Sequence, residues 1–128
     1  MPNDTALMRV LVTGSTHWDG GDALRSALSR FPAGTTVVTG DTGGIDDSAA
    51  NIGVELGFRV QRMQKTRGDD DRFPGEAWKG LNERMVASGV SLVLAFHPDL
   101  GKPGCARGSQ HVIDLATAAG IAVEIFRR

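Results

Sequence analysis

Three strand-like runs of this chain each end in a glycine-bearing loop that leads into a helix pattern. The runs cover residues 10–13, 36–39 and 92–96. In an open parallel sheet such loops lie together at the carboxyl edge of the strands, where these folds bind ligands. Each following helix directs its unpaired N–H groups and the positive end of its dipole to that edge. The pattern therefore predicts a small-molecule site and favours a ligand that carries phosphate.

Hydrophobic periodicity and turn residues predict strands at 8–13, 36–39, 58–61, 91–96 and 121–126, and helices at 22–31, 45–56, 76–88 and 107–119. Residues 1–7 are expected to form a flexible tail, and residues 8–128 a single domain. Strands that alternate with helices through short connections imply a parallel sheet with right-handed crossovers. The expected fold class is therefore α/β, a three-layer sandwich with a mostly parallel five-stranded sheet and helices on both faces.

The polar segment 63–80 does not fit this alternation and is predicted to be a long loop, interrupted by Pro74 and Gly75, whose end from about residue 76 is helical in composition. A basic run that begins at Arg59 and includes Lys65 passes directly into Asp69 and two further aspartates. We interpret this run as a solvated, self-neutralising stretch.

The bulk composition limits the classes of partner. A net charge of −1 argues against a nucleic-acid interface, which requires a clustered basic surface. Cys105 is the single cysteine, so no internal disulfide is possible and a reducing, cytoplasmic setting is expected. No apolar segment approaches the roughly 18 residues that a membrane span needs, and no secretory hydrophobic region precedes the first strand, so no membrane partner is expected.

Several familiar chemistries lack their motifs. The Gly-Lys pair that ends at Lys102 is followed by Pro103, which has no hydroxyl for the magnesium of a P-loop. The loop after the first strand lacks the Gly-x-Gly-x-x-Gly fingerprint of dinucleotide enzymes, and no Gly-x-Ser-x-Gly elbow occurs. The histidines are not spaced as paired metal ligands. No metal and no cofactor is therefore expected.

An ordered set of short motifs nevertheless resembles one known group, the YspA/YpsA-related branch of the SLOG superfamily. Each motif is weak by itself, but together they keep the family's order over nearly the whole chain. The motifs are residues 8–15 with Trp18, the loop 40–46, Asn82-x-x-Met85, the strand end 95–99 with Gly108-Ser109, and the closing segment 119–123.

The resemblance implies a Rossmann-like sheet that binds a nucleotide or a nucleotide-derived ligand, such as a sugar phosphate or an ADP-ribose-type molecule, and a homodimer. Relatives in the wider superfamily include phosphoribohydrolases, sensors and DNA-binding proteins. Two departures from the pattern matter. Val112 stands where the cleaving relatives carry a glutamate, and Asp41 replaces a usual glycine. A carboxylate at position 41 would repel phosphate unless it is protonated, paired or turned away.

The candidate ligand-binding residues lie in the loops and on the helix that the resemblance matches. They are Gly14, Ser15, Thr16, Trp18, Gly40, Asp41, Gly43, Gly44, Asp46, Asn82, His97, Arg107, Gly108 and Ser109. Asp46 and Asp41 are the catalytic candidates if the protein is an enzyme.

Each candidate also has a purely structural interpretation. The glycines and Ser15 would then form tight turns, Asp46 and Ser109 would cap helices, and Trp18 would pack its loop instead of stacking on a base. Met85 is interpreted as a core residue.

Three functions remain open at this point. The first is binding of a nucleotide-like ligand as a sensor. The second is hydrolysis of an N-glycosidic bond in a nucleotide, and the third is an interaction module with a vestigial pocket.

Overall fold

The computed structural model describes residues 8–18 and 21–128, so the tail predicted at 1–7 lies outside the described residues. The strands are β1 (Arg9–Gly14), β2 (Thr36–Thr39), β3 (Arg59–Arg62), β4 (Leu92–Phe96) and β5 (Ala122–Phe126). The helices are α1 (Asp22–Leu28), α2 (Ile45–Glu55), α3 (Arg67–Arg72), α4 (Ala77–Ala87) and α5 (Arg107–Ala118).

The strands form one five-stranded sheet in the order β3-β2-β1-β4-β5, and every neighbouring pair is parallel. The predicted α/β class with a five-stranded sheet is therefore confirmed, and the sheet is parallel throughout. Between β1 and β4 the strand order reverses direction. The loops that leave these two strands diverge there, and this switch point is where open α/β sheets form their ligand crevice.

Alternate side chains of the strands supply buried residues to both faces of the sheet. Val10 and Val12 of β1 pack with α1 and α2 on one face, where Leu24, Leu28 and Ile52 are buried. On the other face Leu11 packs with α4 and α5 through a second set of buried residues: Leu81, Met85, Val112 and Ala116. Both faces of the central strands are thus covered by helices, which explains their nearly continuous apolar sequence.

Two sequence predictions need correction. The helix predicted at 22–31 ends at Leu28, because the chain turns through Ser29 and Arg30. The segment 63–80 is not simply a loop, since it contains α3, which begins with a capping box between Thr66 and Asp69. Asp69 is only 3% exposed, so the aspartates after the basic run are not all solvated as interpreted.

Several charged residues of the basic run and of the aspartates after it pair with residues elsewhere in the chain. Arg84 of α4 donates from Nε to Asp69 Oδ1 at 3.0 Å and from a terminal nitrogen to Oδ2 at 2.6 Å. Arg62 pairs with Asp47, and Lys65 pairs with Asp41. The segment is thereby joined to α4 and to the loop after β2. No helix in the described part of the chain is long and apolar enough to cross a membrane.

Candidate functional site

A cavity of about 490 Å³ opens at the carboxyl edge of the sheet, at the switch point. The loops after β1, β2 and β4, the start of α5 and one side of α4 enclose it. Eleven of the predicted site residues line it: Gly14, Ser15, Thr16, Gly40, Asp41, Asp46, Asn82, His97, Arg107, Gly108 and Ser109. The volume lies within the roughly 300–1,000 Å³ that is usual for small-molecule sites.

The other three predicted residues do not line this cavity. The ring of Trp18 packs edge-on against Phe96 at 5.7 Å between centroids, on the α1 and α2 side of the sheet. Trp18 therefore supports the first loop, and its ring is not available for stacking on a base in the cavity. Gly43 and Gly44 belong to the turn before α2. Gly44 has φ of 70°, and a Cβ there would overlap the backbone of the first loop, so this glycine is required by close packing.

The N-terminus of α5 faces the cavity with backbone donors that have no partner among the described residues. Within the described chain, the first backbone bond of α5 runs from Gln110 N–H to Ala106 O, and the N–H groups of residues 107–109 make none. Ala106 precedes the helix with φ of 54°, an unusual left-handed conformation for alanine. The first turn of α5, which the structure describes completely, contains no acidic residue. This end of the cavity therefore favours an anion.

The N-terminus of α2 has the opposite character. Ile45 N–H donates to Ser15 O at 3.0 Å, and Asp46 and Asp47 stand in the first turn. The Asp46 carboxylate does not cap α2. Its Oδ2 accepts from the hydroxyl of Thr42 at 2.7 Å and from the backbone N–H of Thr42 at 3.3 Å. Burial raises the pKa of Asp46 above its ordinary value, although hydrogen bonds from Thr42 and Thr39 oppose the rise.

Asp41 is paired, which removes the objection to a carboxylate at this position. Lys65 Nζ lies 2.6 Å from Asp41 Oδ1, and the Lys65 backbone N–H donates to Oδ2 at 2.9 Å. Burial alone would raise the pKa of Asp41, but these bonds from Lys65 outweigh it and leave the pKa below its ordinary value. Asp41 thus stays charged at neutral pH, and its charge is balanced by Lys65.

The α5 side of the cavity is held by Asn82 of α4. The Asn82 amide nitrogen donates to Gly108 O at 3.2 Å and lies 3.1 Å from His111 Nδ1. Because that nitrogen carries only hydrogens, Nδ1 accepts and the proton of neutral His111 is on Nε2. Ser109 does not cap α5 either, since its hydroxyl lies 3.3 Å from the hydroxyl of Thr13. Asn82 and Ser109 therefore both tie the start of α5 to neighbouring elements.

The remaining predicted polar residues occupy the rim and the first loop. Arg107 has a side chain that is 63% exposed, pairs with Glu76 at 3.0 Å and lies 5.5 Å from the centre of the Trp78 ring. His97 Nδ1 accepts from the backbone N–H of Asp99 at 3.1 Å, and burial lowers the pKa of His97. The Ser15 hydroxyl accepts from the N–H of His17 at 2.9 Å, a local turn bond.

Sequence reasoning missed several lining residues. They are Val12, Thr13, Thr42, Lys65, Trp78, Leu81, Met85 and Ala106. Thr42 stands between two predicted residues of the same loop, and the spacing of Trp78, Leu81 and Met85 on one helix face was a usable signal. Met85 is 3% exposed and packs in the core, which confirms that interpretation. Nothing local identifies Lys65, because its partner is 24 residues away.

The fold and this cavity define an α/β domain with a doubly wound parallel sheet and a pocket at its switch point. The chain is 34% identical over 125 residues to the Gene 61 protein of Mycobacterium phage D29, a match that covers 91% of this chain and 94% of that protein. The chain belongs to the family of that phage protein. No protein-family model matches the chain.

Proposed function

We propose that this protein binds a nucleotide or a nucleotide-derived ligand in the cavity at the carboxyl edge, as a sensor or ligand-binding protein. The observation that carries the proposal is the cavity itself, because it brings loops that are distant in sequence to one concave site. Its α5 side offers the N–H groups of residues 107–109, which have no partner in the part of the chain that the structure describes, and Arg107 lies beside them. A phosphate at this position would be stabilised by the helix end and by charge-assisted hydrogen bonds.

The rest of the lining suits the other parts of such a ligand. Leu81 and Met85 give an apolar floor, and Trp78 adds an aromatic surface in the wall. Asp46, on the opposite side from α5, can accept hydrogen bonds from ribose hydroxyls. A mostly apolar cavity with a few placed polar groups is the usual composition of a small-molecule site.

Paired measurements with AMP and adenosine test the phosphate assignment. We expect AMP to stabilise the protein in a thermal-shift assay more than adenosine does, because only AMP reaches the start of α5. Arg107→Ala should weaken AMP binding about tenfold in titration calorimetry and leave adenosine unchanged, as expected for one lost charge-assisted contact. Arg25→Ala is the matched control, since Arg25 is also an exposed, ion-paired cation and lies on α1. Equal binding of AMP and adenosine would refute the phosphate position.

Hydrolysis of a nucleotide N-glycosidic bond is the alternative, and one observation favours it. Asp46 lines the cavity, is 7% exposed and has a pKa raised by burial, as acid–base carboxylates often have. Val112, at the position of the glutamate in the cleaving relatives, is fully buried in the core and takes no part. Incubation with nucleoside monophosphates and NAD, followed by chromatography for free base, tests this alternative. Release that disappears in Asp46→Asn supports an enzyme, whereas binding without release supports a sensor.

A module with a vestigial pocket is the remaining possibility. It predicts that no nucleotide-like ligand raises the melting temperature at millimolar concentration. The homodimer implied by the SLOG resemblance stays a prediction, which light scattering coupled to size-exclusion chromatography tests.

A further inference from the structure

We propose that Arg62, which lies outside the cavity, is a positioning residue that makes the site selective for ribose over a sugar without the 2′ and 3′ hydroxyls. It does so by holding the β2–α2 loop, residues 40–44, in the shape that presents the Asp46 carboxylate to the sugar. The inference rests on the proposed function and deepens it, because it names the residue that sets which nucleotides the site accepts.

The position of Arg62 follows from the register of the sheet. It is the last residue of β3 and lies beside Thr39, the last residue of β2. Its Nε donates to Gly40 O at 2.7 Å, and a terminal nitrogen donates to Thr42 O at 2.7 Å. Because the donors of a planar guanidinium have a fixed spacing, these two bonds fix the separation of the two carbonyls. The same side chain pairs with Asp47 in the first turn of α2.

The shape of this loop determines where the Asp46 carboxylate lies. The hydroxyl and the backbone N–H of Thr42 both donate to its Oδ2, at 2.7 and 3.3 Å. Asp46 is buried, and a Cβ added at Gly40 would lie 3.0 Å from the same oxygen, so the carboxylate has little room to move. Arg62 therefore fixes the backbone from which the two Thr42 donors reach Asp46.

The held carboxylate keeps acceptor capacity for a ligand. An ionised carboxylate offers about four acceptor positions, and Thr42 occupies two of them on Oδ2, so positions remain on Oδ1. Asp46 lines the cavity, on the side away from α5. The 2′ and 3′ hydroxyls of a ribose can donate to these positions. A sugar that lacks both hydroxyls would cover the buried carboxylate without replacing its bonds to water, which is costly.

Arg62 acts on the ligand only through this carboxylate. It is not among the residues that line the cavity, and its charge is balanced by Asp47. The phosphate end of the cavity, at the start of α5, contains none of the bonds that Arg62 makes. Loss of Arg62 should therefore affect recognition of the sugar and spare that of the phosphate.

Calorimetry with AMP and 2′,3′-dideoxy-AMP tests the inference, because the two probes share the base and the phosphate and differ only in the sugar hydroxyls. We expect the wild-type protein to bind AMP at least about tenfold more tightly, a difference of about 1.4 kcal/mol. Arg62→Ala should reduce this preference to about threefold or less by weakening AMP binding, and should leave the affinity for the dideoxy probe within about twofold of the wild-type value.

Three further variants isolate the bonds to the loop carbonyls. Arg59→Ala removes another exposed arginine of β3 and should keep the full preference. Asp47→Asn removes the ion pair of Arg62 but leaves its bonds to Gly40 and Thr42, so it should also keep the preference. Arg62→Lys retains the charge but lacks the fixed spacing of donors, so it should lose the preference as Arg62→Ala does. It decides the question if the alanine variant does not fold.

A double-mutant cycle tests whether Arg62 acts through Asp46. Asp46→Ala should lose the same preference, and the addition of Arg62→Ala should change the ratio no further. Equal binding of the two probes by the wild-type protein would refute the inference and leave the proposed function standing. A preference that survives in Arg62→Ala, or an equal weakening of both probes, would refute it as well, since a purely structural arginine gives the second result. If neither probe binds the wild-type protein, the proposed function fails, and the inference fails with it.

Discussion

Replacement of Asp69 with asparagine should destabilise the protein in a way that depends on pH. Asp69 is buried beneath α4, and the two hydrogen bonds from the Arg84 guanidinium hold its pKa at about 2, below the ordinary 3.8. At about 1.4 kcal/mol for each pH unit, this difference corresponds to about 2.5 kcal/mol of stabilisation. The Arg84 side chain is 36% exposed, so solvent screening reduces the expected loss at pH 7 to about 1–2 kcal/mol.

The sign of the pH dependence is set by the lowered pKa of Asp69. Its stabilisation is fully present above the unfolded value of 3.8 and is lost as the pH falls through the folded value of about 2. The difference in unfolding free energy between the wild type and Asp69→Asn should therefore be constant from pH 7 to about 5 and should shrink toward zero near pH 2. Urea denaturation followed by tryptophan fluorescence at several pH values measures it.

Glu83→Gln provides the matched control for this experiment. Glu83 also joins α4 to α3, through Arg72, but both side chains of that pair are substantially exposed. Its removal should change stability by less than about 0.5 kcal/mol. A loss in Asp69→Asn as small as in this control, or a loss that stays constant down to pH 2, would show that the buried pair does not anchor α3 electrostatically.

The remaining predictions concern glycines and histidines. Gly44→Ala should lower the unfolding free energy by well over about 1 kcal/mol, because the residue has a positive φ and its new Cβ would also overlap the first loop. Gly57→Ala has a positive φ but open space around the Cβ, so it should lower the unfolding free energy by only about 1 kcal/mol. Urea denaturation compares the two variants. In Gly108→Ala the added Cβ would meet open space, so the unfolding free energy should rise by up to about 1 kcal/mol, which melting curves measure. The same Cβ should weaken AMP binding by crowding the phosphate, which calorimetry measures. Burial lowers the pKa of His97 and His111, so below pH 6.5 the unfolded chain binds more protons than the folded chain. The unfolding free energy should therefore fall as the pH drops through that value. Replacement of both histidines by glutamine should flatten this pH dependence in urea titrations.

The strands and most helices were predictable because their signals are local. The apolar run of β1 and the glycine stops at Gly57 and Gly120, both with positive φ, determine the main alternation, and the structure matches most of it within about one residue. Helix α3 was missed because Arg67–Arg72 contains no apolar residue to reveal a periodicity. Its stability comes from a capping box and from Arg84, which lies 15 residues beyond Asp69.

The candidate site was predictable in its position but not in its balance of charge. Parallel strands bring their carboxyl ends to one edge, so the loops that carry Gly14, Gly40 and His97 had to meet. Which charges those loops would hold depends on pairing across the chain. Lys65, the partner of Asp41, comes from the segment that was interpreted as solvated. Trp18 lies outside the cavity because its ring packs against Phe96, a contact that the sequence does not reveal.

The two helix starts at this edge look equivalent in the sequence, because both follow glycine-bearing loops, but only one of them suits an anion. At the start of α2 the Ile45 N–H donates to Ser15 O, and the first turn carries the carboxylates of Asp46 and Asp47. At the start of α5 the N–H groups of residues 107–109 make no hydrogen bond to any described residue, and Arg107 lies beside them. A phosphate placed at α2 would meet like charge, and its arrival would bury Asp46 further, whereas a ribose there donates hydroxyl protons to the carboxylate. The asymmetry therefore predicts that the nucleotide of the proposed function would place its phosphate at α5 and its sugar toward α2.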